Sequence, residues 1–147
     1  MTVEQQAPDE ATFTIAEASE LTGVSSDTLR YYERAGVMPD VVRGEHGHRV
    51  YSPDDLGWIR FVRRLRSTGM PMRQVAEYTG MVRRGEGTVA ERRRLLEAHR
   101  ANVAHAIEEL TEALQVLDGK IRHYAAAERG VDVGCTDDTL QYVTRLG

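Results

Sequence analysis

The chain has one cysteine, Cys135, in 147 residues. An internal disulfide is therefore impossible, in keeping with a reducing compartment. No apolar run approaches the roughly 20 residues that a membrane-spanning helix needs. Residues Met1 to Ala11 are polar and acidic, with neither the basic nor the apolar region of a secretory signal, so a cytoplasmic location is expected. A nucleophile–base pair, a phosphate-cradling glycine loop and a metal-ligand cluster are also missing, which leaves nothing on which to build an enzyme, a cofactor site or a metal centre. A net positive charge is also missing: 19 Lys and Arg against 23 acids leave -4, an unpromising total for a nucleic-acid binder.

The distribution of charge matters more than its sum. Residues 1–11 carry three acids and no base, residues 12–85 carry eleven arginines against nine acids, and residues 86–147 return to an acidic surplus of three. Arg30, Arg43, Arg49, Arg60, Arg63, Arg64 and Arg66 cluster in the middle segment. Any electrostatic footprint must come from their placement.

Hydrophobic residues at 41 % and charged residues at 29 % describe an ordinary soluble domain. Thr14 and Glu17 form the S/T-x-x-E pattern of a capping box, which predicts a helix over Ile15, Ala18 and Leu21 that ends at Gly23. Serine caps start a second helix at Ser25 or Ser26, which runs to Ala35 before Gly36. Two short helices around a glycine turn make a helix-turn-helix. In the second, Val24, Leu29 and Tyr32 fall on the inner side, while Ser26, Asp27, Arg30 and Tyr31 point outward. From Val37 to Tyr51 the helical period is lost. Pro39, Gly44 and Gly47 separate two short β-like runs, Val41 to Arg43 and Arg49 to Tyr51, the pattern of a two-stranded wing. Ser52-Pro53-Asp54-Asp55 is a strong helix start, and that helix stops at Gly69. Another runs from Pro71 to Gly85.

Beyond a cap expected at Thr88 lies the clearest periodicity in the chain. Leu96, Val103, Leu110, Leu117 and Tyr124 recur every seven residues, and Arg100, Ile107, Leu114 and Ile121 follow four residues after the first four. This is a heptad seam on a helix of about 38 residues, about 57 Å long at 1.5 Å per residue. The small domain before it cannot cover such a stripe, so the stripe needs a partner. The expected organisation is a disordered tail at 1–11, a winged helix-turn-helix at 12–85, a coiled-coil helix at 86–127 and a short tail at 128–147.

Several segments, in order, resemble the MerR family of bacterial transcription regulators. They are Ile15-Ala16-Glu17-Ala18, Gly23-Val24-Ser25, Thr28-Leu29-Arg30-Tyr31-Tyr32-Glu33, Gly36-Val37, Gly47-His48-Arg49-Val50-Tyr51-Ser52 and Asp54-Asp55-Leu56. The resemblance spans Thr12 to Gly85. It implies a mostly helical fold: a winged helix-turn-helix, a helix pair serving as a second wing, and an antiparallel coiled coil that joins two subunits. It further implies a homodimer on a pseudo-palindromic operator, which acts on RNA polymerase indirectly by bending and untwisting promoter DNA. Carried over by motif, Ser26, Thr28, Arg30 and Tyr31 belong to the recognition helix. Arg43, His48, Arg49 and Tyr51 belong to the wing, and Arg63, Arg66 and the turn Ser67-Thr68-Gly69-Met70 to the second wing. The seam Leu96, Val103, Ile107, Leu110, Leu114, Leu117, Ile121 and Tyr124 would form the dimer interface. Rival readings are a coiled-coil protein-interaction module and a MerR-like repressor that does not distort its promoter.

The sensed signal is less legible. Metal-sensing members use several cysteines, and here Cys135 stands alone, while His99, His105 and His123 fit solvated helix faces. From Trp58 through Tyr124 the pattern is similar to the aldehyde- and electrophile-responsive subgroup. That subgroup places a cysteine between the tryptophan and the glycine, where this chain has Arg64. Thiol sensing at that position is excluded, and Cys135 would have to substitute from the tail. A small organic effector would need a pocket lined by Trp58, Tyr78 and Met81.

Overall fold

The computed structural model describes residues 11–131. The expected N-terminal tail up to Glu10, most of the C-terminal tail, and with it Cys135, lie outside the described residues. Local signals set the helix ends. In α1, Ile15–Thr22, the Thr14 hydroxyl accepts from the Glu17 amide while the Glu17 carboxylate accepts from the Thr14 amide at 2.8 Å. Gly23 ends the helix at φ 70°, a left-handed conformation that favours glycine. In α2, Ser26–Arg34, Ser25 is the N-cap and accepts from the Thr28 amide at 3.1 Å. For α3, Pro53–Ser67, the structure adds to the expected Ser52 cap: Asp55 returns a bond to the Ser52 amide, completing a second capping box. The fourth helix, α4, covers Met72–Arg84.

The wing is shorter than its apolar pattern suggests. Strands β1, Val42–Arg43, and β2, Arg49–Val50, pair antiparallel with Val42 opposite Val50 and Arg43 opposite Arg49. Gly47, at φ 73°, turns the loop between them, and its amide donates to the Gly44 carbonyl at 3.0 Å. At its inner end the hairpin gains a rung, because Phe13 and Tyr51 exchange two backbone hydrogen bonds of 2.8 Å.

Behind this surface α2, α3 and α4 close over a core that contains Leu29, Tyr32, Ile59, Val62, Leu65 and Val75. The segment after α2 is buried too, and its backbone acceptors are met by side chains. Trp58 Nε1 donates to the Val37 carbonyl at 2.7 Å, the Thr79 hydroxyl lies 3.3 Å from the same oxygen, and Arg83 donates to the Met38 carbonyl. These bonds anchor the α2–β1 connection and hence the root of the wing.

A 3₁₀ turn, Glu86–Thr88, leads into α5, Val89–Glu128. The sequence pattern places a cap at Thr88; its hydroxyl instead lies 2.7 Å from the Met81 carbonyl and 2.8 Å from that of Gly85. The reason is burial: a hydroxyl that is 8 % exposed must find an acceptor, and the end of α4 supplies two. The contacts divide the chain between His99 and Arg100. Leu95 and Leu96 pack on the core of the first unit, so the first seam residue serves its own domain. In the second unit Val103 is half-buried, whereas Ile107, Leu110, Leu114, Leu117, Ile121 and Tyr124 are all exposed.

Candidate nucleic-acid interface

The candidate surface begins with the amphipathic character of α2. Leu29 and Tyr32 point inward and are buried, leaving the adjacent Tyr31 46 % exposed. This is the division of the two tyrosines that helical spacing predicts. Thr28 receives a 2.8 Å hydrogen bond from the Ser25 hydroxyl, which orients it at the first turn of the helix. Arg30 meets Asp27 at 3.0 Å in a solvent-exposed pair, which exchanges readily for a stronger anion.

Between α2 and the wing lies an open cleft of about 410 Å³ lined by Thr14, Ile15, Arg30, Arg43, Gly47, His48 and Arg49. Four basic side chains thus converge from a helix and from both strands of the hairpin. Arg43 Nη1 donates to the Gly47 carbonyl at 3.0 Å, and Glu33 pairs with both Arg43 and Arg49. His48 is exposed on the same wall. Such a surface suits phosphate oxygens beside a helix of the kind that reads base edges.

Tyr51 requires a correction. It is 1 % exposed, in the core behind the wing, and cannot present its ring or hydroxyl to a ligand in this conformation. The alternation that points Arg49 outward turns Tyr51 outward as well; the β-bridge to Phe13 is the long-range pairing that buries it instead. Its hydroxyl has no hydrogen-bond partner among the described residues. Burial, the largest influence, raises the phenol above its ordinary pKa. Burial does the same to Tyr32, so both phenols stay neutral through the physiological range.

A second basic cleft, about 400 Å³, is lined by Leu21, Thr22, Arg60, Arg63, Arg64 and Ser67. Arg60 donates to the Leu21 carbonyl at 3.1 Å and Arg63 to the Thr22 carbonyl at 2.9 Å, so two guanidiniums cap the C-terminus of α1. Gly23 permits this approach, because a Cβ there would lie 2.8 Å from Arg63 Nη1. Arg66 donates to the Met70 carbonyl at 2.7 Å and braces the turn between α3 and α4. Arg63 and Arg66 therefore have structural partners as well as exposed surface.

Trp58 and Tyr78 stack with ring centroids 5.9 Å apart, and Phe61 packs against both. Met81 is buried. Trp58 and Tyr78, expected to line an effector pocket, stack on one another instead. Among the described residues, no group of three or more His, Cys, Asp or Glu side chains is placed to hold a metal ion. No described helix is long and apolar enough to cross a membrane.

Two short helices around a glycine turn, flanked by a basic wing and a basic helix turn, define a helix-turn-helix DNA-binding protein. Residues 13–81 match the MerR HTH family regulatory protein model, and residues 56–120 match the MerR, DNA binding model. A helix-turn-helix transcriptional regulator of Haemophilus influenzae is 35 % identical over 117 residues, covering 80 % of this chain and 87 % of the relative. The regulator AdhR of Bacillus subtilis is 38 % identical over 82 residues, 56 % of this chain and 59 % of its own. Among solved structures, HiNmlR, a MerR family regulator lacking the sensor domain and bound to promoter DNA, superposes with a TM-score of 0.76. It is 34 % identical and covers 82 % of this chain and 97 % of its own. The chain belongs to the MerR family of DNA-binding transcription regulators.

Sequence reasoning overlooked Glu33 as a partner of the wing and Thr14 as part of the cleft wall. Glu33 had a legible signal: two arginines at facing positions of one hairpin require a nearby anion. Thr14 had none, because its capping pattern accounts for it fully.

Proposed function

We propose that this protein works as a homodimer on a pseudo-palindromic promoter operator and activates transcription by distorting the spacer DNA, acting on RNA polymerase only through that change. The carrying observation is the basic cleft between α2 and the wing, where Arg30, Arg43, His48 and Arg49 meet beside an exposed Tyr31. The promoter-bound state of HiNmlR supports a DNA occupant for this face. Six exposed apolar side chains at heptad spacing on α5 support a second copy of the chain as the covering partner. Two reading heads joined by one coiled coil explain a palindromic site: each half-site takes one α2 and one wing. The promoter lies in the cytoplasm, and the protein acts there.

The organisation follows the same division of labour. Residues 12–85 read DNA, and the helix over 86–127 joins the subunits while its first turns brace the reading head. The second basic cleft, with Arg63 and Arg66 beside the α3–α4 turn, extends phosphate contact past the recognition helix. The test is DNA selection from a random pool, followed by footprinting and a circular-permutation bend assay on the selected site. A protected inverted repeat with a central bend is expected. Protection of a single unbent half-site would defeat the dimeric, spacer-distorting reading, and no selection at all would defeat the DNA-binding reading.

A further inference from the structure

Arg43 and Arg49 sit directly opposite each other on β1 and β2. Like charges at facing positions of an antiparallel pair repel and destabilise the ladder. This ladder has only two residues per strand, so backbone bonding gives it little reserve. The neutralising group comes from outside the hairpin: Glu33, in the last turn of α2, places Oε1 3.4 Å from Arg43 Nη2 and Oε2 in contact with Arg49 Nε. One carboxylate therefore holds both strands, one oxygen to each. The side chains of Glu33 and Arg49 are only 27 % and 23 % exposed, which shields their pairing from solvent screening. Arg49 spends Nε on this contact, while its two Nη groups make no hydrogen bond among the described residues and the side chain lines the cleft with Arg30 and His48.

We infer that Glu33 is a positioning residue for DNA binding, a clasp that fixes the wing against the recognition helix before DNA arrives. This inference rests on the DNA-binding reading of the cleft. The sign of the effect separates a clasp from plain electrostatics. A carboxylate beside phosphate-binding arginines repels DNA, so if charge were all that mattered, removing it would tighten binding to every sequence. A clasp does the opposite for the correct site: without it the wing must be ordered during binding, and that cost falls on the complex that uses both elements together.

The experiment compares the wild-type chain with Glu33→Gln, measuring affinity for a selected operator and for unrelated duplex DNA at one salt concentration. The clasp requires operator affinity to fall about tenfold while affinity for unrelated DNA stays level or rises, so that the specificity ratio drops. Equal gains on both DNAs would overturn it in favour of simple repulsion. Equal losses on both would overturn it in favour of general damage to the fold. A DNA-free readout is the initial rate of tryptic cleavage after Arg43, expected to rise severalfold in Glu33→Gln while the melting transition stays cooperative. An unchanged rate also counts against the clasp. If the wild-type chain shows no preference for any operator, the DNA-binding reading fails, and the cleavage rate still decides whether Glu33 holds the wing.

Discussion

Thr68 Oγ1 lies 2.8 Å from His99 Nε2, tying the turn after α3 to the fourth turn of α5. The threonine hydroxyl has one hydrogen, and two α3 carbonyls, those of Arg64 and Leu65, lie within 2.9 Å and 3.1 Å to accept it. The histidine tautomer sets which of the two groups donates across this bond. The α3–α4 turn is thus joined by a hydrogen bond to α5. His99→Leu removes the ring nitrogen from this bond and keeps comparable bulk. A hydrogen bond of this kind contributes about 0.5–1.5 kcal/mol, so local protection at the turn should fall roughly two- to tenfold. Amide exchange at Gly69 and Met70 reads this; unchanged rates would show that the bond does not hold the turn.

The buried hydroxyl of Tyr51 leads to an outcome that a DNA contact would not. A buried, unpaired hydroxyl costs about 1–3 kcal/mol, so Tyr51→Phe removes a penalty and leaves the ring packing in place. The variant should be as stable as the wild type or up to about 1 kcal/mol more stable by urea titration, with operator affinity unchanged. Lost affinity together with unaltered stability would return Tyr51 to the interface.

Tyr51 also marks where sequence reasoning stops. Features written in a few adjacent residues were legible: the Thr14–Glu17 capping box, the glycine stop at Gly23, the Ser52-Pro53 start, and the tyrosine facing solvent out of the Tyr31-Tyr32 pair. Each depends on backbone geometry within one or two turns of chain. What escaped depends on partners far along the chain. Phe13 pairs with Tyr51, Glu33 reaches Arg43 and Arg49, and Arg60 and Arg63 cap α1 from some forty residues away. Periodicity places a side chain on a face but does not say which other element covers that face. Leu96 illustrates this, since its heptad position fits the dimer seam although its packing lies within its own domain.

The remaining seam gives a prediction about assembly. Leu110 is 67 % exposed on the single chain, so Leu110→Glu costs the protomer nothing in packing. In a coiled coil the same change would bury a charge against a partner's apolar side chains. Sedimentation should find monomers at concentrations where the wild type is dimeric, with helical content of the first unit retained and affinity for the full operator lost. A dimer that survives the substitution would move the interface off this seam.

Arg30 provides the most direct reading of the interface itself. Its only hydrogen-bond partner among the described residues is Asp27, in a pair whose carboxylate is almost fully exposed. Arg30→Ala should therefore leave thermal stability within the error of measurement, because such pairs contribute little. Its effect on DNA binding depends on what the guanidinium touches. A phosphate contact carries no sequence information, so its loss weakens binding to operator and unrelated DNA by similar factors. It also lowers the slope of log affinity against log salt by about 0.9 for each arginine removed, hence by about 1.8 for a dimer. A salt titration of both DNAs separates the cases. An unchanged slope with a large loss on the operator alone would mean that Arg30 reads a base edge, and would move it from the positioning contacts of the cleft to those that specify sequence.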